Sequence, residues 1–338
     1  MSEMDILQAE KIGEKIGSNG NGKKFDPYTV ITNRIVEYFE SGRFENWVAL
    51  WSRTGTPRNA STGRRYNGMN ILLLTIRMEE ENWTNPLFLT FNQIRALSKK
   101  FEHLIVNKEG RTVYPASLKK GSKGESVCFW KRIAIHNREE DEEKTIPLLR
   151  LYTVFNVEQL DLHSDVRAYL ARHNTSLVFK NDGKRNKAIE KFLKNIGSQV
   201  KHGGEVADWS PQNDQIRMPK PETFKDMDAY YSTRFHEEVH RTGHKSRLDR
   251  DLTKRFDVDS YAFEELVAEL GSSFLCSDFS IHANGWKNQA EYVRVWTTRM
   301  RADKHAIFKA ASLSNAAVDY LWKLQPEDLR NEEREEDE

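Results

Sequence analysis

The stretch Phe235-His236-Glu237-Glu238-Val239-His240-Arg241-Thr242-Gly243-His244 constrains this chain more than any other. It contains H-E-x-x-H. On a helix, residues four apart share a face, so His236 and His240 can point at one Zn²⁺ while Glu237 stands beside the ion's open position. A carboxylate placed there can take a proton from a water that the metal acidifies toward neutrality. The pattern is short, and among ten histidines it also suits a solvated helix face with nothing bound. A third ligand separates the two readings, because catalytic zinc takes three from the protein.

Carboxylates for that role lie in Tyr261-Ala262-Phe263-Glu264-Glu265-Leu266-Val267-Ala268-Glu269-Leu270. Glu265 and Glu269 are one helical turn apart, so one can bind the metal while the other accepts a hydrogen bond from a liganding histidine. Glu264 adjoins them. The rival ligand is a histidine beyond Gly243. The extended pattern H-E-x-x-H-x-x-G-x-x-H requires one at position 246, which is Ser246. His244 comes two residues early, and its alternative role is to hydrogen-bond the last carbonyls of the helix. Tyr230, Tyr231 and Tyr261 are nearby donors for an oxyanion.

At 338 residues the chain has room for two ordinary domains. No apolar run is long enough to span a membrane, and Ile71-Leu72-Leu73-Leu74 is only a core-sized patch. The N-terminus carries Glu3, Asp5 and Glu10 without an apolar segment, so a cytoplasmic location is expected. Cys128 and Cys276 stand apart among apolar neighbours and read as buried free thiols. The net charge of +1 conceals an asymmetry. From Arg53 to Lys123, 13 lysines and arginines face 5 glutamates, whereas from Pro326 to Glu338, 8 acids face 2 arginines. The first segment suits phosphates; the second suits solvent or the shielding of a basic surface.

Residues 1–24 are polar and glycine-punctuated, a flexible arm. Val30, Ile31, Ile35, Val36 and Phe39 recur at helical spacing up to Gly42, and helix resumes near Asn70. Leu89 to Lys100 reads as a helix capped at Thr90. Lys119 to Lys123 forms a basic turn leading into a strand, Ser126 to Trp130, with a second strand from Leu148 to Val157 and an exposed acidic loop, Glu139 to Lys144, between them. The first domain is expected over 25–162 and a connector over 163–178. A second domain follows over 179–325, then an acidic tail over 326–338. Within the second domain Ile189 to Ile196, Tyr292 to Met300 and Ile307 to Leu324 read as helices. Asp214 to Pro219 reads as a short strand at a sheet edge, where an extended substrate could be held.

Single strands of nucleic acid need a positive track and flat faces for unstacked bases. The first domain offers Arg53, Arg58, Arg64, Arg65, Lys119, Lys120 and Lys123 as charges. Trp47, Trp51, Tyr66, Trp83, Phe91, Phe129 and Trp130 are the aromatic candidates.

His236 to His244, followed by Ser246-Arg247-Leu248 and by Tyr261 to Leu270, resembles the zincin-like metallopeptidase domain of ArdC-type antirestriction proteins, which plasmids and phages encode. Pro57 to Asn70, Lys119 to Glu125 and Phe129-Trp130 resemble the N-terminal domain of the same family, which is also similar to the N-terminal region of some plasmid primases. The resemblance covers about residues 25–325 and departs around Lys99 to Ser117, where the chain is longer. It implies an α+β protein of two domains, an N-terminal α+β domain that binds single-stranded DNA and a C-terminal glutamate-type zincin. Zn²⁺ would be held by His236, His240 and Glu265, with Glu269 behind a ligand and Glu237 as general base acting on a protein substrate. The rivals are a DNA-dependent protease that clears proteins bound or crosslinked to DNA, and a non-enzymatic single-strand binder whose zinc is structural.

Overall fold

The computed structural model describes residues 26–43, 54–108, 111–137, 142–172, 182–250, 258–281 and 290–327. Trp47, Trp51, Arg53, the side chain of Trp130, the N-terminal arm, much of the connector and almost all of the acidic tail lie outside the described residues.

Helix α1 (Pro27–Glu40) starts at Asp26, whose carboxylate accepts from the Tyr28 N–H at 3.1 Å, with Pro27 where no helical N–H is needed. The chain continues through β1 (Arg58–Asn59), α2 (Met69–Glu80), β2 (Leu87–Thr90), α3 (Phe91–Lys100) and a short hairpin, β3–β4 (Val106–Lys108 and Arg111–Val113). Then come β5 (Ala116–Leu118), a long hairpin, β6–β7 (Glu125–Asn137 and Glu142–Asn156), β8 (Leu160–Leu162) and α4 (Ser164–Arg172). The main sheet has the order β1-β2-β7-β6.

Three expectations change here. Leu89 and Thr90 belong to β2, paired with Phe155 and Val154, because sheet pairing overrides local helical preference. Thr90 nonetheless caps α3 in a capping box with Gln93. Glu142, Glu143 and Lys144, expected in a loop, pair with Asn137, His136 and Ile135, since backbone pairing rather than composition sets where this hairpin turns. Inside the expected connector, α4 buries Val166 and Leu170 with Leu87, Leu89 and Ile94.

The C-terminal half runs α5 (Asp182–Ile196), β9 (Gln199–His202), β10 (Asp208–Ser210), β11 (Gln215–Met218), α6 (Met227–Thr242), α7 (Val258–Asp278), α8 (Ala290–Ala302) and α9 (Ala306–Lys323). β11 is the middle strand of the order β10-β11-β9, not an edge. Pro219 follows the last paired residue, Met218, so its missing N–H costs the ladder nothing. The result is an α+β protein with the two-domain layout expected from the sequence. Among the described residues no helix is long and apolar enough to cross a membrane.

The two halves share their largest core. Ile31, Ile35, Val36 and Phe39 of α1 and Ile71 to Leu73 of α2 join one cluster with Trp296, Ile307, Ala311 and Val318. Gly68, at φ +49°, allows the close approach that seats α2, because a Cβ there would lie 3.2 Å from the Ala311 carbonyl oxygen. Both cysteines are buried and free.

Candidate metal centre

Helix α6 starts at Asp226, whose carboxylate accepts from the Ala229 N–H at 2.8 Å, and ends at Gly243. It packs across α7 at Gly271, where a Cβ would lie 2.9 Å from both methyls of Val239. The missing side chain lets the two helices approach. Trp296 Nε1 donates to the Ala262 carbonyl at 2.6 Å and Ser314 Oγ to the Val267 carbonyl at 2.9 Å, which fixes α7 from behind.

At this crossing one nitrogen of His236, one of His240 and a carboxylate oxygen of Glu265 lie within 4.8 Å of one another. Glu265 reaches His236 Nε2 at 3.5 Å and His240 Nε2 at 3.3 Å, and the two Nε2 atoms are 3.0 Å apart. The opposite ring nitrogens are also engaged. Glu269 lies 3.5 Å from His236 Nδ1, and Glu264 lies 3.2 Å from His240 Nδ1. These partners place each N–H on Nδ1, so both Nε2 lone pairs face one point beside a carboxylate. Three electron-rich groups around one point repel unless a cation sits among them, so the donor set fits a metal ion.

The same contacts govern proton binding at these groups. Burial opposes charging of His240, but Glu264 and Glu265 outweigh it and lift the ring to about 10. Burial likewise opposes charging of His236, which Glu269 and Glu265 nevertheless raise above the ordinary imidazole value. For Glu265, burial favours the neutral acid, yet the two imidazoles hold it well below the usual carboxylate range. A metal held by these ligands would take the place of those protons.

Sequence reasoning missed a supporting pair. Arg250 grips Glu264 through Nε at 3.0 Å and Nη2 at 2.7 Å, and also donates to Thr242 Oγ1 and the Val239 carbonyl, each at 2.7 Å. This bolts the carboxylate behind His240 to the end of its own helix. No periodicity marks Arg250; the only hint is that Glu264 and Glu265 are adjacent on a helix and so flank a site from two directions.

His244 stands apart, with Nδ1 2.8 Å from Ser246 Oγ and its ring edge-on to Trp209. Tyr231 donates to Glu190 at 2.9 Å, and Tyr230 pairs with His202 at 2.9 Å. Tyr261 contacts the Tyr292 ring. Glu237 is buried, and among the described residues it forms no hydrogen bond or ion pair. Its neighbour Glu238 is instead held by Arg234 at 2.6 Å and by Ser198.

The basic candidates divide. Arg58 is buried and donates to the Gly63 carbonyl at 3.3 Å, so it supports its own loop. Arg65 pairs with buried Asp278 at 2.7 Å and with Asp319 at 3.3 Å, which joins the N-terminal half to the C-terminal one and leaves no guanidinium for a strand. Tyr66 is half-buried, edge-on to Phe88. Arg64, Lys119, Lys120 and Lys123 are exposed. Of the aromatic candidates, Phe91 and Phe129 are exposed.

Residues 25–155 match the N-terminal domain of anti-restriction factor ArdC, and residues 187–313 match a zincin-like metallopeptidase. The metal-free crystal structure of the antirestriction ArdC protein from the R388 plasmid aligns with a TM-score of 0.69 at 32% identity, covering 89% of this chain and 98% of that one. The chain belongs to the ArdC family. A Mn(II)-bound structure of the same R388 ArdC protein aligns with a TM-score of 0.67 at 30% identity, over the same shares of the two chains. Uncharacterized protein y4eC of Sinorhizobium fredii is 31% identical over 320 residues, covering 91% of this chain and 95% of that protein. DNA primase TraC of Escherichia coli is 27% identical over 326 residues, which is 89% of this chain but only 27% of the primase. Within the ArdC framework the zincin-like match holds His236, His240, Glu264, Glu265 and Glu269, and the N-terminal match holds the whole main sheet except Asn156 of β7.

Proposed function

We propose that this chain is a cytosolic antirestriction protein of a mobile element, plasmid or phage, that binds single-stranded DNA through its N-terminal half and carries a zinc metallopeptidase in its C-terminal half. The observation that carries the peptidase reading is the convergence of two Nε2 atoms and the Glu265 carboxylate, with a carboxylate behind each ring and Glu237 unengaged beside them. Two imidazoles and a carboxylate suit zinc, which outcompetes manganese for such donors in the ordinary order of divalent stabilities, although a crystal form of the R388 relative holds Mn(II).

When bound, zinc would supply a Lewis acid and a water acidified toward neutrality. His236, His240 and Glu265 would hold it. Glu269 and Glu264 keep the two rings in the tautomer that leaves Nε2 free. Glu237 takes the proton of the attacking water and delivers it to the leaving amine. The substrate is a protein, and a host protein already on DNA is the class that both halves can meet together.

Exposed Arg64, Lys119, Lys120 and Lys123 support the DNA reading, and no carboxylate ion-pairs with any of them among the described residues. The test is plasmid transfer into restricting and non-restricting hosts. A variant with alanine at all four positions is expected to bind single strands more weakly, with a shallower salt dependence, and to lose protection. Full protection by that variant, with its DNA binding shown to be lost, defeats the reading.

A further inference from the structure

We infer that the preference for single strands resides in an exposed aromatic pair on the half of the β6–β7 hairpin away from its turn, where Phe129 and Tyr152 stack unpaired bases and Arg150 meets the backbone. The inference rests on the proposed single-strand binding and gives it a place.

Phe129 is 57% exposed and Tyr152 44% exposed, and their rings touch edge to face with centroids 5.9 Å apart. Among the described residues neither ring belongs to a hydrophobic core cluster. Register puts Arg150 directly opposite Phe129 and Val127 directly opposite Tyr152, so Phe129, Tyr152 and Arg150 share one face of the hairpin. Arg150 is the exposed charge beside the rings. No carboxylate lies in 126–129 or in 149–155. The next carboxylate along β6, Glu125, is buried and pairs with Arg34 at 2.8 Å.

A protein strand is a poorer fit to this place than a nucleic acid. β6 ends the described sheet, but at Cys128 its outward backbone groups are already taken: Asn70 donates to the Cys128 carbonyl at 2.7 Å and accepts from its N–H at 2.6 Å. Strand addition there would break both bonds. Stacking on the open rings breaks none.

Topology also separates the two basic sets. β1, β2 and β6 run parallel, so the Arg64 loop, which follows β1, lies at the same end of the sheet as Phe129 and Tyr152. The turn with Lys119 and Lys123 precedes β6 and bonds to Gln159, beyond the other end of β7. The lysines can add general affinity, but they lie away from the rings.

The test is fluorescence anisotropy with the full chain, using a labelled mixed-sequence oligonucleotide and its duplex. F129A combined with Y152A is expected to weaken single-strand binding at least ~tenfold, leaving duplex affinity and salt slope unchanged. F129W combined with Y152W should retain the preference. Both positions are exposed, and an unchanged thermal melt shows that the fold survives. Alanine at Lys119, Lys120 and Lys123 should weaken both forms by a similar factor. An aromatic variant that keeps its single-strand preference overturns the inference alone. A wild-type chain that binds neither form overturns it together with the DNA reading it rests on.

Discussion

Replacing Glu237 with glutamine should lower peptide-bond hydrolysis by about 10²–10⁴-fold, the usual contribution of a positioned general base, while metal content stays at the wild-type level. Glutamine keeps the size and shape of the side chain, and its amide cannot accept the water's proton. The carboxylate of Glu237 has no structural partner among the described residues, so its loss leaves no orphaned ion pair. Glu238, one residue on, gives the contrast. It is buried against Arg234 at 2.6 Å, and glutamine there would disturb folding before chemistry. The measurement is cleavage of fluorescein-labelled denatured casein, with and without a single-stranded oligonucleotide, by wild type, Glu237→Gln and Glu265→Ala. Equal cleavage by wild type and Glu237→Gln at matched metal content would remove Glu237 from the mechanism.

Arg65→Ala should cost about 3 kcal/mol of stability, whereas Arg64→Ala should change it by no more than about 0.5 kcal/mol. Asp278 receives Arg65 at 2.7 Å, Trp322 Nε1 at 3.0 Å and Thr56 Oγ1 at 3.1 Å. Removing the arginine leaves a buried carboxylate with only neutral donors, at the contact that ties the loop after β1 to the end of α7 and to α9. Among the described residues Arg64 has no such partner, and it is exposed. Urea midpoints of the two variants decide this. Equal midpoints would show that the ion pair contributes nothing to joining the halves.

Those adjacent arginines show where sequence alone stops. Both sit in one basic run, and composition assigns them one task, but the fold turns Arg65 inward to an acid 213 residues away and leaves Arg64 outside. The same holds for the three glutamates of α7. Helical spacing puts Glu265 and Glu269 on one face, yet which carboxylate meets the ring nitrogens depends on how α6 crosses α7. Gly271 against Val239 sets that crossing, and nothing in the spacing of the glutamates reveals it. By contrast, the H-E-x-x-H pair, the Thr90 cap and the helix from Pro27 follow from short-range rules that need no knowledge of the rest of the chain. The central position of β11 and the helix at Ser164–Arg172 depend on long-range partners, β9 and the core around Leu87 and Leu89.

The central claim is a three-ligand metal centre at the crossing of α6 and α7, and elemental analysis of purified chains tests it most directly. After chelation and reloading with zinc, wild type and Glu237→Gln should hold about one ion per chain, because the site offers one set of three ligands. Glu265→Ala should lose most of it, and Glu264→Gln should bind ~10–100-fold more weakly because His240 loses its anchor. His244→Ala should match wild type. Zinc retained in Glu265→Ala but lost in His244→Ala would contradict the assignment.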